Sequence, residues 1–362
     1  MALTALVQKL SLKIPTPLVA GAAKALFGLP VHVKQRLGTP RTVEGNELDV
    51  DSQITLFLLK AQGVHGLAGR ADLGIAHSRA TMSKLCAAVG QNPAPSVVTR
   101  GLMVDGAAGP IPARLYTPAG LDAGSPLVVF FHGGGFVLGD LDSHDAPCRY
   151  IADRARVRVL AVDYRLAPEA IFPAAVDDAV AATKWALAHA DQLGADPARV
   201  ALSGDSAGGN LATVTARALS LDGGPQPVLS LLFYPVTGAD PANRSRDTFA
   251  SGYFLTKADI DWFHDQYTPD PGQDTDPRFD VLHADGLAAI GRTHVVVAGF
   301  DPLRDEGLAY AARLRDAGVD VSTQLAPGAL HGFLNLVGVS ADARVDVDTA
   351  LDVLRDELAQ RS

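Results

Sequence analysis

From Ser96 onward the chain repeats one pattern: a short apolar run rich in β-branched residues, followed by a longer stretch with helical spacing. The runs are Leu127–Phe131, Val157–Val162, Val200–Leu202, Val228–Phe233, His294–Val297 and Val319–Leu325. Helical stretches at about Ile171–Ala190, Ala207–Leu219 and Arg304–Ala317 lie between them. A strand that is apolar without alternation has no face left for water, so the sheet it joins must be covered on both sides. The pattern therefore predicts an α/β protein with a mostly parallel central sheet flanked by helices. A hairpin leads into it, since Val97–Val104 and Ile111–Tyr116 flank Asp105-Gly106 and Gly109-Pro110.

Two regions break the pattern. Residues 1–95 read as a helical N-terminal segment. Within it, Asp51-Ser52 before Ile54, Leu56, Phe57, Leu58 and Leu59 predicts a capped, largely buried helix, and a second helix is expected from about Ala71 to Val89. Residues 240–285 carry Asp, Pro and the aromatics Phe249, Tyr253, Phe254, Trp262, Phe263 and Tyr267 without a strand, and read as a helical insertion. The α/β body is then 96–239 plus 286–362, closed by a helix over about Ala341–Ala359.

Composition narrows the function. With 48% hydrophobic residues in 362, the chain can bury a substantial core. A net charge of −9 and the lack of any Lys/Arg run argue against nucleic acid as a partner. Two cysteines, Cys86 and Cys148, make neither a disulfide framework nor a zinc site, and both read as small buried apolar residues. The apolar stretch Ile14–Ala23 holds two prolines and falls short of the ~20 residues a membrane span needs. Lys9, Lys13 and Lys24 interrupt any signal-peptide core, so a cytoplasmic protein without stable membrane insertion is expected. The amphipathic start reads as a helix packed on its own protein in preference to a lipid surface.

Chemistry enters at Gly204-Asp205-Ser206-Ala207-Gly208, which follows the strand Val200–Leu202 and opens a helix. The spacing alone is weak evidence. In that context it predicts a serine on a strained strand-to-helix turn, with glycines where Cβ atoms would collide. His132-Gly133-Gly134-Gly135 follows Leu127–Phe131 and could turn bare amides toward a carbonyl oxygen; a phosphate cradle is disfavoured, because neither G-x-G-x-x-G nor a terminal Gly-Lys-Ser/Thr is present. A serine needs a base and the base an orienting acid. Among His264, His283, His294 and His331, only His331 sits in a loop after a strand with room for an acid before it. Asp301 ends the preceding strand; Asp305 and Glu306, one turn into the next helix, read as surface charges or caps.

These segments, with Asp163-Tyr164-Arg165-Leu166-Ala167-Pro168-Glu169 and Asp301-Pro302-Leu303-Arg304-Asp305-Glu306-Gly307, resemble the hormone-sensitive-lipase family of bacterial carboxylesterases, in its subgroup with Asp before the serine. The resemblance spans roughly 97–335, loosely reaches 43–90, and leaves 1–42 unmatched. It implies an α/β-hydrolase fold with a helical cap built from the N-terminal helices and the insertion. It also implies Ser206 as nucleophile, His331 as base, Asp301 as its orienter, and the amides of Gly133, Gly134 and Ala207 as an oxyanion hole. No metal or other cofactor is implied; the partner is a small-molecule ester of short to medium acyl length, and a homodimer is a common state in the family. An acyltransferase on the same residues and a non-catalytic receptor are the alternatives, the latter weakened because His331 is present. Phe136, Tyr164 and Asp205 are candidate substrate contacts, with Phe136 and Leu138 reading equally as core and Asp205 equally as structural. Asp163 and Arg165 read as structural polar contacts. The aromatics of 249–267 read as cap core or as acyl-pocket lining.

Overall fold

A computed structural model describes residues 16–64, 66–68, 73–238 and 243–360. The first fifteen residues, with Lys9 and Lys13, and the expected helix start at Ala71 lie outside the described residues. The central sheet runs β10-β9-β8-β7-β5-β6-β4-β3, built from β3 (Val97–Gly106), β4 (Gly109–Pro118), β5 (Ser125–Phe131), β6 (Arg158–Val162), β7 (Ala195–Asp205), β8 (Ser230–Phe233), β9 (Thr293–Phe300) and β10 (Val321–Leu330). The hairpin β3–β4 is antiparallel, as is β4 against β6; every other pair is parallel. A two-residue ladder, β1 (Thr42–Val43) with β2 (Asn46–Glu47), precedes the sheet.

The unbroken apolar runs are explained by the two faces. In β5, Leu127, Val129 and Phe131 enter one core cluster while Val128 and Phe130 enter the other. The first face is covered by helices Ala174–Ala188, Ala207–Leu221 and Arg304–Asp316, whose Ala179, Leu211 and Tyr310 join its core. The second is covered by Asp145–Ala155 and Ala341–Ala359, through Ile151 and Leu351. Cys148 is buried there, and Cys86 packs partly buried against the first core; burial pushes the Cys86 thiol up to about 12.

Four catalytically suggestive residues leave the same edge of this sheet. His132 follows β5, Ser206 follows β7, Asp301 follows β9 and His331 follows β10. Parallel pairing aligns those strand ends, with Phe131 opposite Gly204. β10 adds a correction of its own: its register against β9 shifts between Ala326 and Leu330, which sets Leu330 opposite Phe300. The bulge carries Pro327 over Gly299, where a Cβ would stand 2.0 Å from the Pro327 oxygen. Bulges re-aim the residues that follow them, and here the next residues on the two strands are His331 and Asp301.

The N-terminal helices α1 (Thr16–Phe27), α2 (Val31–Leu37), α3 (Val50–Ala61) and α4 (Ile75–Gly90) lie beside this edge, α1 against α4 and α2 against α3. The inserted segment supplies helices Arg244–Thr248 and Lys257–Tyr267, the latter opened by a Thr256/Asp259 capping box. Asp259 also accepts the backbone amides of Leu67 and Ala68 at 3.1 and 3.0 Å, tying the N-terminal segment to the insertion. Among the described residues no helix is long and apolar enough to cross a membrane.

The expected cap on α3 is replaced by something stronger. Asp49, not Asp51, is the residue before the helix, and it makes no side-chain cap bond. Asp51 lies in the first turn, 1% exposed, where it pairs with Lys34 and accepts Ser340 Oγ at 2.8 Å and the Ala341 amide at 3.0 Å. This joins α2, α3 and the C-terminal helix. Removing one partner of a buried pair leaves a charge without compensation, at about 3–5 kcal/mol. D51A should therefore lower the unfolding free energy extrapolated from urea titration by about 3 kcal/mol, and K34M/D51L should recover more than half of the loss.

Candidate active site

The turn that holds Ser206 is possible only because side chains are missing around it. A Cβ on Gly208 would lie 1.9 Å from the Phe131 carbonyl oxygen, and one on Gly204 would lie 2.3 Å from the Gly208 oxygen. Ser206 itself adopts φ 56°, ψ −119°, a left-handed conformation that costs a non-glycine residue free energy and persists only where its surroundings enforce it. The enforcing contacts are its amide on the Phe233 oxygen at 2.9 Å and its oxygen under the Val236 amide at 3.2 Å. Helix Ala207–Leu221 begins at the next residue, so its unpaired N–H groups and positive end lie beside Oγ.

His331 Nε2 stands 3.0 Å from Ser206 Oγ, and His331 Nδ1 stands 2.7 Å from Asp301 Oδ2. A carboxylate only accepts, so Nδ1 carries the proton and Nε2 presents its lone pair to the serine hydroxyl. The other Asp301 oxygen accepts the Leu303 amide at 2.8 Å. The Tyr234 ring packs at 4.7 Å from that of His331. Asp301 is fully buried; Ser206 and His331 are nearly so. Such a line can activate a hydroxyl, stabilise the imidazolium that forms and return the proton to a leaving group.

The structure redistributes the donors expected beside it. The Gly133 amide is already donated to Asp205 Oδ1 at 2.8 Å and so is occupied. The amides of Gly134 and Gly135 meet no acceptor among the described residues, and the Ala207 amide opens the helix. Gly133 is therefore replaced by Gly135 in the candidate donor set, because a carboxylate captures the first glycine of the loop. Tyr164 also changes role: it lines neither cavity beside Ser206, and its hydroxyl donates to the His132 carbonyl at 2.7 Å while its ring stacks on His132 at 4.3 Å. Asp205 does border a cavity, with its oxygen engaged as described. Arg165 pairs with buried Asp178 at 2.7 Å, a structural contact. Glu306 is no surface charge. It is fully buried, bonded to Arg246 at 3.0 Å and to the Thr237 amide at 3.0 Å, and burial pushes its carboxyl up to about 7.

Ser206 stands between two cavities. The larger, about 410 Å³, is walled by Gly134 and His331 on one side and by Ala23, Phe27, Leu59, Met82 and Leu85 of the N-terminal helices on the other. Phe254 of the insertion completes it. The smaller, about 30 Å³, is lined by Gly135, Phe136, Arg246, Phe263 and Tyr267. The aromatics of 249–267 thus divide: Phe254, Phe263 and Tyr267 face cavities, whereas Phe249 and Tyr253 pack at 5.7 Å on Phe300. Phe136 does both, stacking on Tyr267 at 4.0 Å. Leu138 is core. Among the described residues no group of three His, Cys, Asp or Glu could hold a metal ion.

Sequence reasoning missed His144 and Tyr234, both buried and both close to Asp205. A signal for His144 existed in Ser143-His144-Asp145, a polar triplet at a helix start just beyond the glycine loop.

A family model of the alpha/beta hydrolase fold matches residues 128–335. The chain is 45% identical over 345 residues to the carboxylic ester hydrolase LipN of Mycobacterium tuberculosis, covering 93% of this chain and 91% of that protein. It is 39% identical over 252 residues to the ethyl acetate hydrolase of Pseudomonas putida, covering 68% and 79%. Among solved structures, a thermostable esterase from Pseudomonas putida superposes with a TM-score of 0.82 at 31% identity, over 88% of this chain and 99% of that one. An ester hydrolase from the metagenome of Lake Arreo, complexed with a bipyridine phosphonate derivative, gives 0.80 at 37% identity over 86% and 99%.

His132 offers a test of the site's electrostatics. Its Nδ1 donates to the Gly133 oxygen at 2.9 Å, its Nε2 is buried without a partner, and burial with His144 nearby holds its pKa down to about 4. In the unfolded chain a histidine takes up its proton near pH ~6.5. The neutral ring therefore favours the fold fully above that pH, and the contribution, about 3 kcal/mol, is lost as pH falls toward 4. Thermal unfolding of wild type and H132N should differ most at pH 7 and converge by several degrees at pH 4.5.

Proposed function

Because this chain belongs to the α/β-hydrolase family of hormone-sensitive-lipase-like carboxylic ester hydrolases, we propose that it hydrolyses acyl esters through a covalent intermediate on Ser206. The observation that carries this reading is the buried line from Ser206 Oγ through His331 to Asp301 at the floor of an apolar cavity. In the first half-reaction Oγ attacks the ester carbonyl as His331 Nε2 takes its proton, and Asp301 stabilises the imidazolium. The amides of Gly134, Gly135 and Ala207 hold the tetrahedral oxyanion. The alcohol departs with the proton from His331. Water then enters, gives its proton to His331 and releases the acid, restoring Ser206.

The N-terminal helices and the 240–285 segment act as a cap on this centre, joined to each other through Asp259. The walled cavity of about 410 Å³ lies toward the lower end of the ~300–1,000 Å³ usual for small-molecule sites. It suits short- to medium-chain esters better than long-chain fats.

S206A should reduce turnover of p-nitrophenyl butyrate by ~10⁴–10⁶-fold, the loss seen when a nucleophile–base unit is broken. Near-normal rates in that variant would discard the mechanism. Across p-nitrophenyl esters from C2 to C16, kcat/KM should peak below C12; a maximum at C12 or longer would reverse the chain-length reading.

A further inference from the structure

The sequence puts an acid directly before the nucleophile, and the reaction just described makes no use of it. An unpaired carboxylate there would oppose the negative charge that develops on the substrate oxygen. Asp205 is not unpaired. Its side chain is almost wholly buried, Oδ1 accepts the Gly133 amide at 2.8 Å, and His144 Nε2 lies 3.3 Å from the same oxygen. Burial alone pushes its pKa up, yet His144 and the Gly133 amide more than reverse this, so the group remains a carboxylate.

His144 is in turn held. It is 1% exposed, Nδ1 lies 3.0 Å from Ser143 Oγ, and the Asn335 side chain approaches Nε2 at 3.4 Å. Ser143 Oγ is itself fixed, donating to the Asp140 oxygen and accepting the Asp140 amide, each at 2.8 Å. The Tyr234 hydroxyl feels the Asp205 charge and accepts the Leu334 amide at 3.2 Å, three residues beyond His331. One carboxylate thus touches the glycine loop directly and the histidine loop through one residue.

The consequence falls on the oxyanion loop. A glycine-rich segment has many accessible conformations, and a donor displaced by about an ångström loses much of its effect. Capturing the Gly133 amide fixes where the loop begins, and the next two amides, of Gly134 and Gly135, border the two cavities on either side of Ser206. We propose that Asp205, braced by His144, is a positioning residue that sets the oxyanion loop by holding the Gly133 amide, leaving Gly134 and Gly135 as the working donors. This rests on the ester-hydrolase reading of Ser206.

The test is D205L. Asp205 Oδ1 meets both the Gly133 amide and His144, so an asparagine could keep its carbonyl oxygen there; leucine holds a similar volume but offers no acceptor and releases the Gly133 amide. Rates are taken per site titrated with a fluorophosphonate, so that loss of folded protein does not register as loss of catalysis. The expected result is kcat lower by about 100-fold, in the range seen on loss of an oxyanion donor, with KM within threefold. Affinity for a trifluoromethyl ketone, which forms a tetrahedral adduct on Ser206, should fall in step with kcat/KM. H144Q, whose amide can still donate to Asp205, should turn over at least tenfold faster than H144L. A D205L enzyme with wild-type kcat per titrated site and unchanged ketone affinity would overturn the proposal. Should D205L not fold, the His144 pair decides: equal rates in H144Q and H144L refute it. Failure of the underlying reading looks different, since wild type itself would then neither cleave esters nor take up the fluorophosphonate.

Discussion

Everything at the active end of this molecule depends on two stretches of backbone touching without side chains between them. The turn after β7 presses Gly208 against the carbonyl that ends β5, so closely that a single methyl group would overlap the Phe131 oxygen. That approach fixes the serine to the glycine loop at main-chain precision, since backbone held on both sides by paired strands moves little. It also explains why the serine tolerates a positive φ. The strain is held by the sheet, whose parallel register leaves no slack at that edge.

A second backbone contact does for the histidine what the first does for the serine. β10 does not run straight into its loop; it bulges between Ala326 and Leu330, and the bulge seats on Gly299 of β9. Asp301 and His331 are thus delivered by adjacent strands whose last paired residues, Phe300 and Leu330, face each other. The hydrogen bond between Asp301 and His331 follows from that pairing more than from any attraction between their side chains.

How much of this was legible in the residues follows from the range of the forces involved. The sheet's existence and its two covered faces were readable because they require only local apolar runs, and the closing helix, expected at about Ala341–Ala359, was readable because its apolar spacing is local. Ser206, Asp301 and His331 were readable because chain order and strand ends restrict the choices, and the structure brings those three together. What escaped were pairings whose partner lies far along the chain. Asp51 looked like a helix cap because its real partners, Lys34 and Ser340, lie 17 and 289 residues away. Glu306 looked exposed because Arg246 comes from the insertion. Gly133 looked like a free donor for the same reason: the carboxylate that occupies it is 72 residues on.

Those escaped pairings share a physical logic. Three carboxylates, Asp205, Asp301 and Glu306, are buried around one serine, and a dry site cannot carry three isolated negative charges. Each is answered by its own partner: His144 and the Gly133 amide for the first, His331 and the Leu303 amide for the second, Arg246 and the Thr237 amide for the third. The nearby charge of Asp301 makes Glu306 harder to charge, which adds to burial in raising Glu306 to about 7. Arg246 therefore does more than anchor the insertion. By answering Glu306 it leaves no second uncompensated charge beside Asp301. The insertion, through a single guanidinium, is thus coupled to the buried acids next to the serine.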